Sequence, residues 1–312
     1  MGRFFNRTKR CALKTFIHII IVSLVWVALP SAVLADNRLT ELKNIHQLIK
    51  NKQVTLLQNQ PLTIQSKISD NKLHAEVFSV KQYAFPKMVE KLSSVEQWCK
   101  FITLHLNIKA CVYRSAPNQS LSFFAGRKFY EPAESAYELK YHFEIEKSTD
   151  EYFKLNLSAD EGPFGTQDYL IVLELFKVDS EVVIHMSLSY LSSFSSRLGT
   201  SVYLSTIGAD KIGFSQIKNI DGKLEYIQGI EGIIERNVMR YYLALSVYLN
   251  EDDKHKLAQT WFDETEKFSK QLHEVEREAY LDAKALEFKQ QYQMQQRLDK
   301  GLSVIDFSTD AD

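Results

Sequence analysis

Two arginines and an asparagine interrupt an apolar stretch that is predicted to form a helix. Residues 233–249 are apolar around most of the helix circumference, and Asn237 and Arg240 fall on one face. Arg236 and Arg240 are four residues apart, so their charges repel unless an anion or a carboxylate lies between them. Because an arginine can hold a carboxylate or phosphate through two parallel hydrogen bonds, the spacing indicates a site for an anionic head group. The alternative is that glutamates of the same helix (Glu231 or Glu235) or of the sheet pair with the arginines.

A segment with two glycines between two predicted strands is the second candidate. It reads Glu161-Gly-Pro-Phe-Gly-Thr-Gln-Asp-Tyr169, in which the glycines permit backbone conformations that other residues avoid. Such a segment can form a lid over a cavity, with Glu161 or Asp168 facing the ligand; the alternative is an ordinary hairpin loop. The predicted ligand-binding residues are Asn237, Arg240, Tyr241, Arg236, Glu161, Asp168 and Tyr169.

The sequence contains none of the standard metal or nucleophile motifs. Its eight histidines are scattered, with no HExxH motif and no close cluster of His, Asp and Glu. There is no GxSxG segment, no P-loop and no dinucleotide glycine pattern. Ser215 and Lys218 match SxxK by letter only, because they lie in a predicted strand rather than at a helix start. We therefore predict no catalytic residue, no metal and no cofactor, and we interpret His105 as structural.

The first 35 residues have the features of an export signal. A basic segment without acids precedes an apolar stretch at 16–29, and Val33-Leu34-Ala35 fits a cleavage site before Asp36. The apolar stretch is shorter than the roughly 20 residues that span a bilayer, which favours cleavage over an uncleaved anchor. We therefore expect cleavage between Ala35 and Asp36 and a periplasmic or secreted protein.

Charge and cysteine content further restrict the possible partners and predict a covalent cross-link. Removal of the signal lowers the lysines and arginines from 38 to 33, against 39 acidic residues, and this balance argues against nucleic acid as a partner. Cys99 and Cys111 are then the remaining cysteines. An even number of cysteines in an oxidising compartment predicts a disulfide between them, with two buried free thiols as the alternative.

Hydrophobic periodicity predicts an α+β domain. Helices are predicted at 40–50, with Thr40 as N-cap, at 85–104 and at 233–249. Alternation of apolar and polar residues predicts a hairpin from 62 to 80. The further strands are predicted at 108–114, 120–130, 136–147, 151–158, 166–178, 181–191 and 211–217. The short turns between them favour antiparallel pairing, and the apolar helix 233–249 is the natural partner for such a sheet.

A long charged helix is predicted at about 255–298, beyond the sheet. Trp261, Phe268 and Leu272 lie on its apolar side, whereas Glu274 belongs to a mixed-charge outer surface. The apolar side requires a partner, which is either the parent domain or a second protein chain. A protein partner or a homodimer through 255–298 is therefore the alternative to packing within the chain.

This order of elements resembles the START-like, or helix-grip, superfamily of lipid-binding and polyketide-cyclase-type proteins. The string from His74 to Leu92 resembles the first strand of that superfamily running into a helix through an aromatic–proline step. Three further strings, beginning at Trp98, Glu161 and Ile234, are similar to those of an uncharacterised family of exported bacterial proteins. The resemblance implies a curved antiparallel sheet that grips a long helix and encloses a cavity. An N-terminal helix and an extra long C-terminal helix would be additions to that plan.

The expected organisation follows from these observations. It consists of a signal peptide at 1–35, an N-terminal helical segment at 36–61, a START-like domain at 62–250, a C-terminal amphipathic helix at 251–300 and a flexible tail at 301–312. The favoured function is non-catalytic binding of a hydrophobic small molecule or lipid, with an apolar tail along Val238, Tyr241, Tyr242 and Leu245. One alternative is a cyclase- or hydratase-type enzyme that draws on Glu161, Asp168, Tyr169 and His185. Another is an envelope-assembly scaffold, which would have a filled core.

Overall fold

A computed structural model describes residues 31–192, 211–251, 253 and 255–306. The chain divides into two compact units, Met1–Arg38 and Leu39–Asp312. In the first unit, the described residues from 31 onward are helical. In the described residues, no helix is both long and apolar enough to cross a membrane. The Ser-rich stretch at 192–206 is predicted from the sequence as a loop or an irregular helix, and its residues 193–206 lie outside the described residues.

An eight-stranded antiparallel sheet dominates the second unit. Its strand order is β1-β2-β8-β7-β6-β5-β4-β3. In this order β2 pairs with both β1 and β8, which are the first and the last of these strands along the chain. The strands are β1 Leu62–Ser69, β2 Lys72–Lys81, β3 Ile108–Arg114, β4 Ser120–Ala125, β5 Tyr137–Ser148, β6 Tyr152–Glu161, β7 Gln167–Val178 and β8 Glu181–Leu191. A separate hairpin pairs β9 Gln216–Lys218 with β10 Leu224–Tyr226. The predicted strands of the sheet are confirmed, although the one at 120–130 ends at Ala125. Of the strand predicted at 211–217, only the last two residues are extended, in β9 of the separate hairpin.

Helices cover both faces of this sheet. They are α1 Ser31–Lys50, α2 Phe85–Leu92, α3 Val95–Ile102, α4 Gly229–Asn250, α5 Leu257–Glu266, α6 Ser269–Leu272 and α7 Arg277–Asp299. The long helix α4 contacts β1, β2 and β8 on one face. On the other face, Leu42 and Ile49 of α1 pack with Phe78 and Val183 of the sheet. Each face of the sheet thus buries its apolar side chains against a helix.

The single helix predicted at 85–104 is two helices in the structure. The break falls at Ser93, whose hydroxyl donates to the carbonyl of Val89 at 2.6 Å, and the indole nitrogen of Trp98 donates to the freed carbonyl of Leu92 at 2.9 Å. Serine competes for backbone hydrogen bonds in this way, which the apolar periodicity alone does not reveal. Thr40 is also wrong as an N-cap, because α1 begins nine residues earlier.

The long C-terminal helix is confirmed as α7, but its predicted start near 255 is wrong. Residues 257–272 form two shorter helices, α5 and α6, before α7 begins at Arg277. Trp261, Phe268 and Leu272 are each at most 4 % exposed and belong to the main core, so the apolar side of this region packs on its own domain. The breaks let all three side chains reach that core.

The predicted disulfide between Cys99 and Cys111 is present and buried. It joins α3 to β3 across a sequence separation of 12 residues. The side-chain amide of Gln291 in α7 accepts from the backbone nitrogen of Cys111 at 2.8 Å and donates to the carbonyl of Cys99 at 3.2 Å. The C-terminal helix therefore binds the polypeptide on both sides of the disulfide.

Candidate functional site

A cavity of about 1140 Å³ lies between the sheet and helix α4. Leu139, Phe123 and Leu188 contribute apolar wall from three strands, and Ile230 and Ile233 contribute it from α4. Cavities for small molecules have this character, in which mostly apolar walls carry a few polar groups that fix orientation. The volume is slightly larger than the roughly 300–1,000 Å³ typical of such sites.

Five tyrosines line the wall, of which Tyr137 is exposed. The ring of Tyr169 on β7 stacks on that of Tyr190 on β8, with ring centroids 4.8 Å apart, and Tyr141 projects from β5. Tyr241 reaches the same space from α4. Burial raises the pKa of Tyr141, Tyr190 and Tyr241, and the neighbouring tyrosines raise it further. These side chains are therefore neutral phenols that can offer hydrogen bonds at neutral pH.

His105 presents one ring nitrogen as a donor. Its ring stacks on Tyr241 with centroids 4.4 Å apart, and its Nδ1 accepts from the backbone nitrogen of Asn107 at 3.1 Å. That hydrogen bond assigns the proton to Nε2, for which the described residues provide no hydrogen-bond partner. Burial lowers the pKa of His105, and the charge of Arg240 lowers it further. His105 is thus a neutral donor in the cavity wall.

One end of the cavity is strongly charged. Oε1 of Glu274 lies 3.0 Å from the guanidinium of Arg240. Oε2 of Glu274 lies 2.8 Å from the ammonium of Lys128 and 3.5 Å from that of Lys211. Burial alone would raise the pKa of Glu274, but the charges of Arg240, Lys128 and Lys211 lower it. Glu274 therefore carries a negative charge even though its side chain is only 6 % exposed.

The structure brings most of the predicted site residues together. Arg236, Asn237, Arg240 and Tyr241 line the cavity from α4, and Tyr169 lines it from β7. The carboxylate that meets Arg240 is Glu274, which the sequence placed on an outer surface. Glu235 instead accepts from the backbone nitrogens of Phe214 and Ser215 at 2.6 and 3.0 Å.

Glu161 and Asp168 do not line the cavity. Both side chains are exposed, and Asp168 lies at a register shift in β7 with a positive φ of 53°. That irregularity turns Asp168 outward while Tyr169 faces the cavity. The segment between them contributes Pro163, Phe164 and Thr166 to the wall instead.

The two glycines of this segment have different roles. Gly165 adopts a positive φ of 74°, as its residue type allows. Gly162 has an extended backbone, and the lack of a side chain is what matters there, because a Cβ would lie 2.2 Å from the ring of Tyr169. Gly162 thus lets the tyrosine pack against the backbone beside the cavity.

The expected path of an apolar tail along α4 needs correction. Val238, Tyr242 and Leu245 are each at most 2 % exposed and pack in the core, and of the expected set only Tyr241 faces the cavity. Along a helix, positions 238, 242 and 245 share a face that differs from the face of 233, 237 and 240. The apolar wall comes mainly from the sheet.

His185 lies on the opposite face of the sheet from the cavity. Its Nδ1 is 2.6 Å from Glu174 and its Nε2 is 2.8 Å from Glu76, and Glu174 also accepts from the hydroxyl of Tyr152 at 2.5 Å. Successive residues of a strand point to opposite faces, so His185 is on the other side from Leu188 and Tyr190. His185 and Tyr169 therefore cannot form one acid–base pair.

Several cavity residues were not predicted from the sequence. The alternation of β5 does place Tyr141 with the apolar residues of its strand, which is a usable signal for an inward side chain. Lys128 and Glu274 lie outside the strands and helices of the structure, whereas the sequence pattern placed them in a strand at 120–130 and in a helix at about 255–298. No spacing rule connects either of them to Arg240.

No protein-family model matches the sequence, and none of the curated proteins matches it. Among solved structures, human StAR-related lipid transfer protein 5 is similar at 8 % identity and a TM-score of 0.33, covering 70 % of this chain and 97 % of that chain. A STAR-related lipid transfer protein from Xanthomonas axonopodis is similar at 13 % identity and a TM-score of 0.34, covering 47 % and 88 %.

A conserved protein of unknown function from Enterococcus faecalis has the same TM-score of 0.34, at 7 % identity, with coverage of 66 % of this chain and 91 % of that chain. At these scores the likeness is loose, and the fold class follows from the strand order and from the packing of α4 on the sheet. The chain has an α+β fold in which a curved antiparallel sheet grips a long helix, the START-like plan.

Proposed function

We propose that this chain is an exported protein that binds an apolar or lipid-like ligand without changing it. The supporting observation is the cavity of about 1140 Å³, whose mostly apolar wall carries tyrosines and one charged end. In this arrangement the apolar part of a ligand lies against Leu139 and Leu188 of the sheet. Its polar head meets Asn237 and Arg240 of α4.

The electrostatics of the wall favour binding over catalysis. General acid–base chemistry is most efficient when the catalytic pKa lies near the working pH. In the described part of the wall, burial and neighbouring charges move the pKa values of these groups away from neutrality. The pKa falls for Glu274 and His105 and rises for the tyrosines. These groups hold fixed charges and fixed hydrogen-bond donors, which suits recognition.

The scaffold alternative has less support. It requires a filled core and an exposed apolar strip in the C-terminal region. The domain instead contains a large cavity, and Trp261, Phe268 and Leu272 are buried within the chain.

Native mass spectrometry of protein purified gently from the cell envelope tests ligand binding. We expect an apolar adduct that is lost on denaturation. Leu188→Trp places a large side chain in the wall and should abolish the adduct, whereas Leu224→Trp, on the exposed hairpin β9–β10, should retain it. Folded wild-type protein that carries no adduct and takes up no lipid from an envelope extract would contradict the proposal.

The same spectra test export. A mass that corresponds to residues 36–312 with two hydrogens fewer would support cleavage before Asp36 and an oxidised Cys99–Cys111 pair. A mass that includes the first 35 residues would argue against cleavage.

A further inference from the structure

Glu274 occupies the place where an anionic head group would bind. Both of its carboxylate oxygens are used, Oε1 by Arg240 at 3.0 Å and Oε2 by Lys128 at 2.8 Å. The planar carboxylate thus makes the contacts that a ligand carboxylate or phosphate would make with the same two cations. The side chains of Glu274 and Arg240 are 6 % and 3 % exposed, so their contact is shielded from water, whereas Lys128 is 31 % exposed.

The charge balance of the wall leaves room for an anion. In the described part of the chain, the cationic side chains that line the cavity are Arg127, Lys128, Arg236 and Arg240, and the anionic ones are Glu131 and Glu274. The lining therefore carries two more positive than negative side chains. A negatively charged head group would be attracted to this end, where the low dielectric of a buried site strengthens charge interactions.

An incoming anion cannot simply join Glu274. Two anionic groups that share Arg240 and Lys128 would lie within a few ångströms of each other, where like charges repel strongly in a poorly solvated site. Glu274 lies in the segment 273–276, which connects α6 to α7 and is not helical. Such a connection can move its side chain at lower cost than a helix can.

We propose that Glu274 is a built-in counter-anion of the cavity, which the anionic head group of the ligand displaces from Arg240 and Lys128. This inference rests on the proposed function and adds the class of ligand, an anionic amphiphile. In the empty protein, Glu274 neutralises the buried arginine. In the loaded protein, the head group takes over that role.

The test compares probes that share one chain length and differ in head charge. Dodecanoate, dodecyl phosphate, 1-dodecanol and dodecyltrimethylammonium are titrated below their micelle concentrations by calorimetry. For wild type we expect the two anions to bind more tightly than the alcohol, and the cation most weakly. Glu274→Gln should tighten binding of both anions by about tenfold and leave the alcohol unchanged, because it removes the competing charge. Glu276→Gln, the same change at an exposed position two residues away, should alter none of the four.

The outcomes separate this inference from the proposed function. If 1-dodecanol and the anions bind equally well and Glu274→Gln changes neither, the cavity binds apolar ligands and the counter-anion role is wrong. If no probe binds to folded wild type, both proposals fail. The inference is supported if both anions, but not 1-dodecanol, bind more tightly to Glu274→Gln than to wild type and Glu276→Gln shows no such change.

A structural measurement on the wild-type protein covers the case in which Glu274→Gln does not fold. In crystals grown with dodecanoate, we expect the head group within hydrogen-bond distance of Arg240 and the Glu274–Lys128 contact lengthened from 2.8 Å to more than 4 Å. A bound dodecanoate that leaves Glu274 on both cations would overturn the inference.

Discussion

The buried network around His185 predicts a specific pH dependence of stability. His185 is 5 % exposed, and it contacts Glu174 at 2.6 Å and Glu76 at 2.8 Å. Burial alone would lower the pKa of His185, but the hydrogen bonds to Glu174 and Glu76 raise it above 6.5. For Glu76, burial alone would raise the pKa, but the hydrogen bonds from His185 and His74 lower it far below 4.5.

The sign of each contribution follows from proton linkage. A histidine with a raised folded-state pKa stabilises the protein fully below pH 6.5, and that contribution is lost as the pH rises through the raised pKa. A glutamate with a lowered pKa stabilises it above pH 4.5, and the contribution is lost as the pH falls through the folded-state value. The network therefore contributes most between about pH 4.5 and pH 6.5.

His185→Gln removes the positive charge that the buried carboxylate of Glu174 and the half-buried carboxylate of Glu76 share. Breaking a buried ion pair by removing one partner costs about 3–5 kcal/mol, and we expect a loss of this size at pH 5.5. The loss should be smaller at pH 8.5, because the stabilisation from a raised pKa of His185 declines as the pH rises above 6.5, where the unfolded chain no longer holds the proton. His142→Gln, an exposed change on β5 of the same sheet, should stay within about 0.5 kcal/mol of wild type.

Urea unfolding at several pH values measures these differences. The quantity to compare is wild type minus variant, because His105 has a lowered pKa and contributes a pH dependence of the opposite sign in both proteins. A loss below about 1 kcal/mol at pH 5.5, well short of the cost of breaking a buried pair, would refute the assignment of a charged His185. So would a difference that does not change between pH 5.5 and pH 8.5.

Two further predictions concern stability. Cys99→Ser should lower the free energy of unfolding by about 3 kcal/mol, the loop-closure value for this separation, in non-reducing urea unfolding; an unchanged midpoint would show that the disulfide adds nothing. Glu287→Gln should lower stability by about 3–5 kcal/mol, because the ammoniums of Lys109 and Lys284 lie 3.0 and 2.6 Å from its carboxylate in a buried site. Calorimetric melting should show the loss for Glu287→Gln and almost none for the exposed Glu278→Gln on the same helix.

The sheet was predictable because its pattern is local. Along β5 and β8 each side chain has one of two directions, so the alternation or continuity of apolar residues reports burial directly. The turn residues Asp70 and Asn71 adopt positive φ, as their types favour, and fix the hairpin of β1 and β2. Nothing outside each segment is needed to make these predictions.

The face of α4 was only partly predictable for a different reason. This helix is apolar on most of its circumference, so its sequence does not tell which apolar face meets the core and which meets a cavity. The polar residues Asn237 and Arg240 did mark the cavity side. Val238, Tyr242 and Leu245 could not be distinguished from cavity residues by type, since a core position and a cavity position select the same side chains.

The charged end of the cavity depends on contacts between distant segments. Glu274 reaches Arg240 because the chain breaks twice between α5 and α7, and those breaks are set by the burial of Trp261, Phe268 and Leu272. A sequence pattern with helical periodicity through 255–298 predicts a continuous helix, which would carry Glu274 to an outer surface. The wrong prediction of one continuous helix and the wrong placement of Glu274 on an outer surface therefore have the same cause.

The same C-terminal region also positions the other polar feature of the cavity. In α7, the ammonium of Lys284 donates to the carbonyls of His105 and Ile108 at 3.0 and 3.1 Å, and the hydroxyl of Tyr280 donates to the carbonyl of Leu104 at 2.9 Å. These bonds hold the backbone on both sides of the His105 ring. Glu274 and the His105 donor are thus both set by residues 273–299, which makes the region beyond α4 part of the cavity wall rather than an appendage. The proposed recognition of a ligand head accordingly depends on a segment that lies outside the eight-stranded sheet and α4.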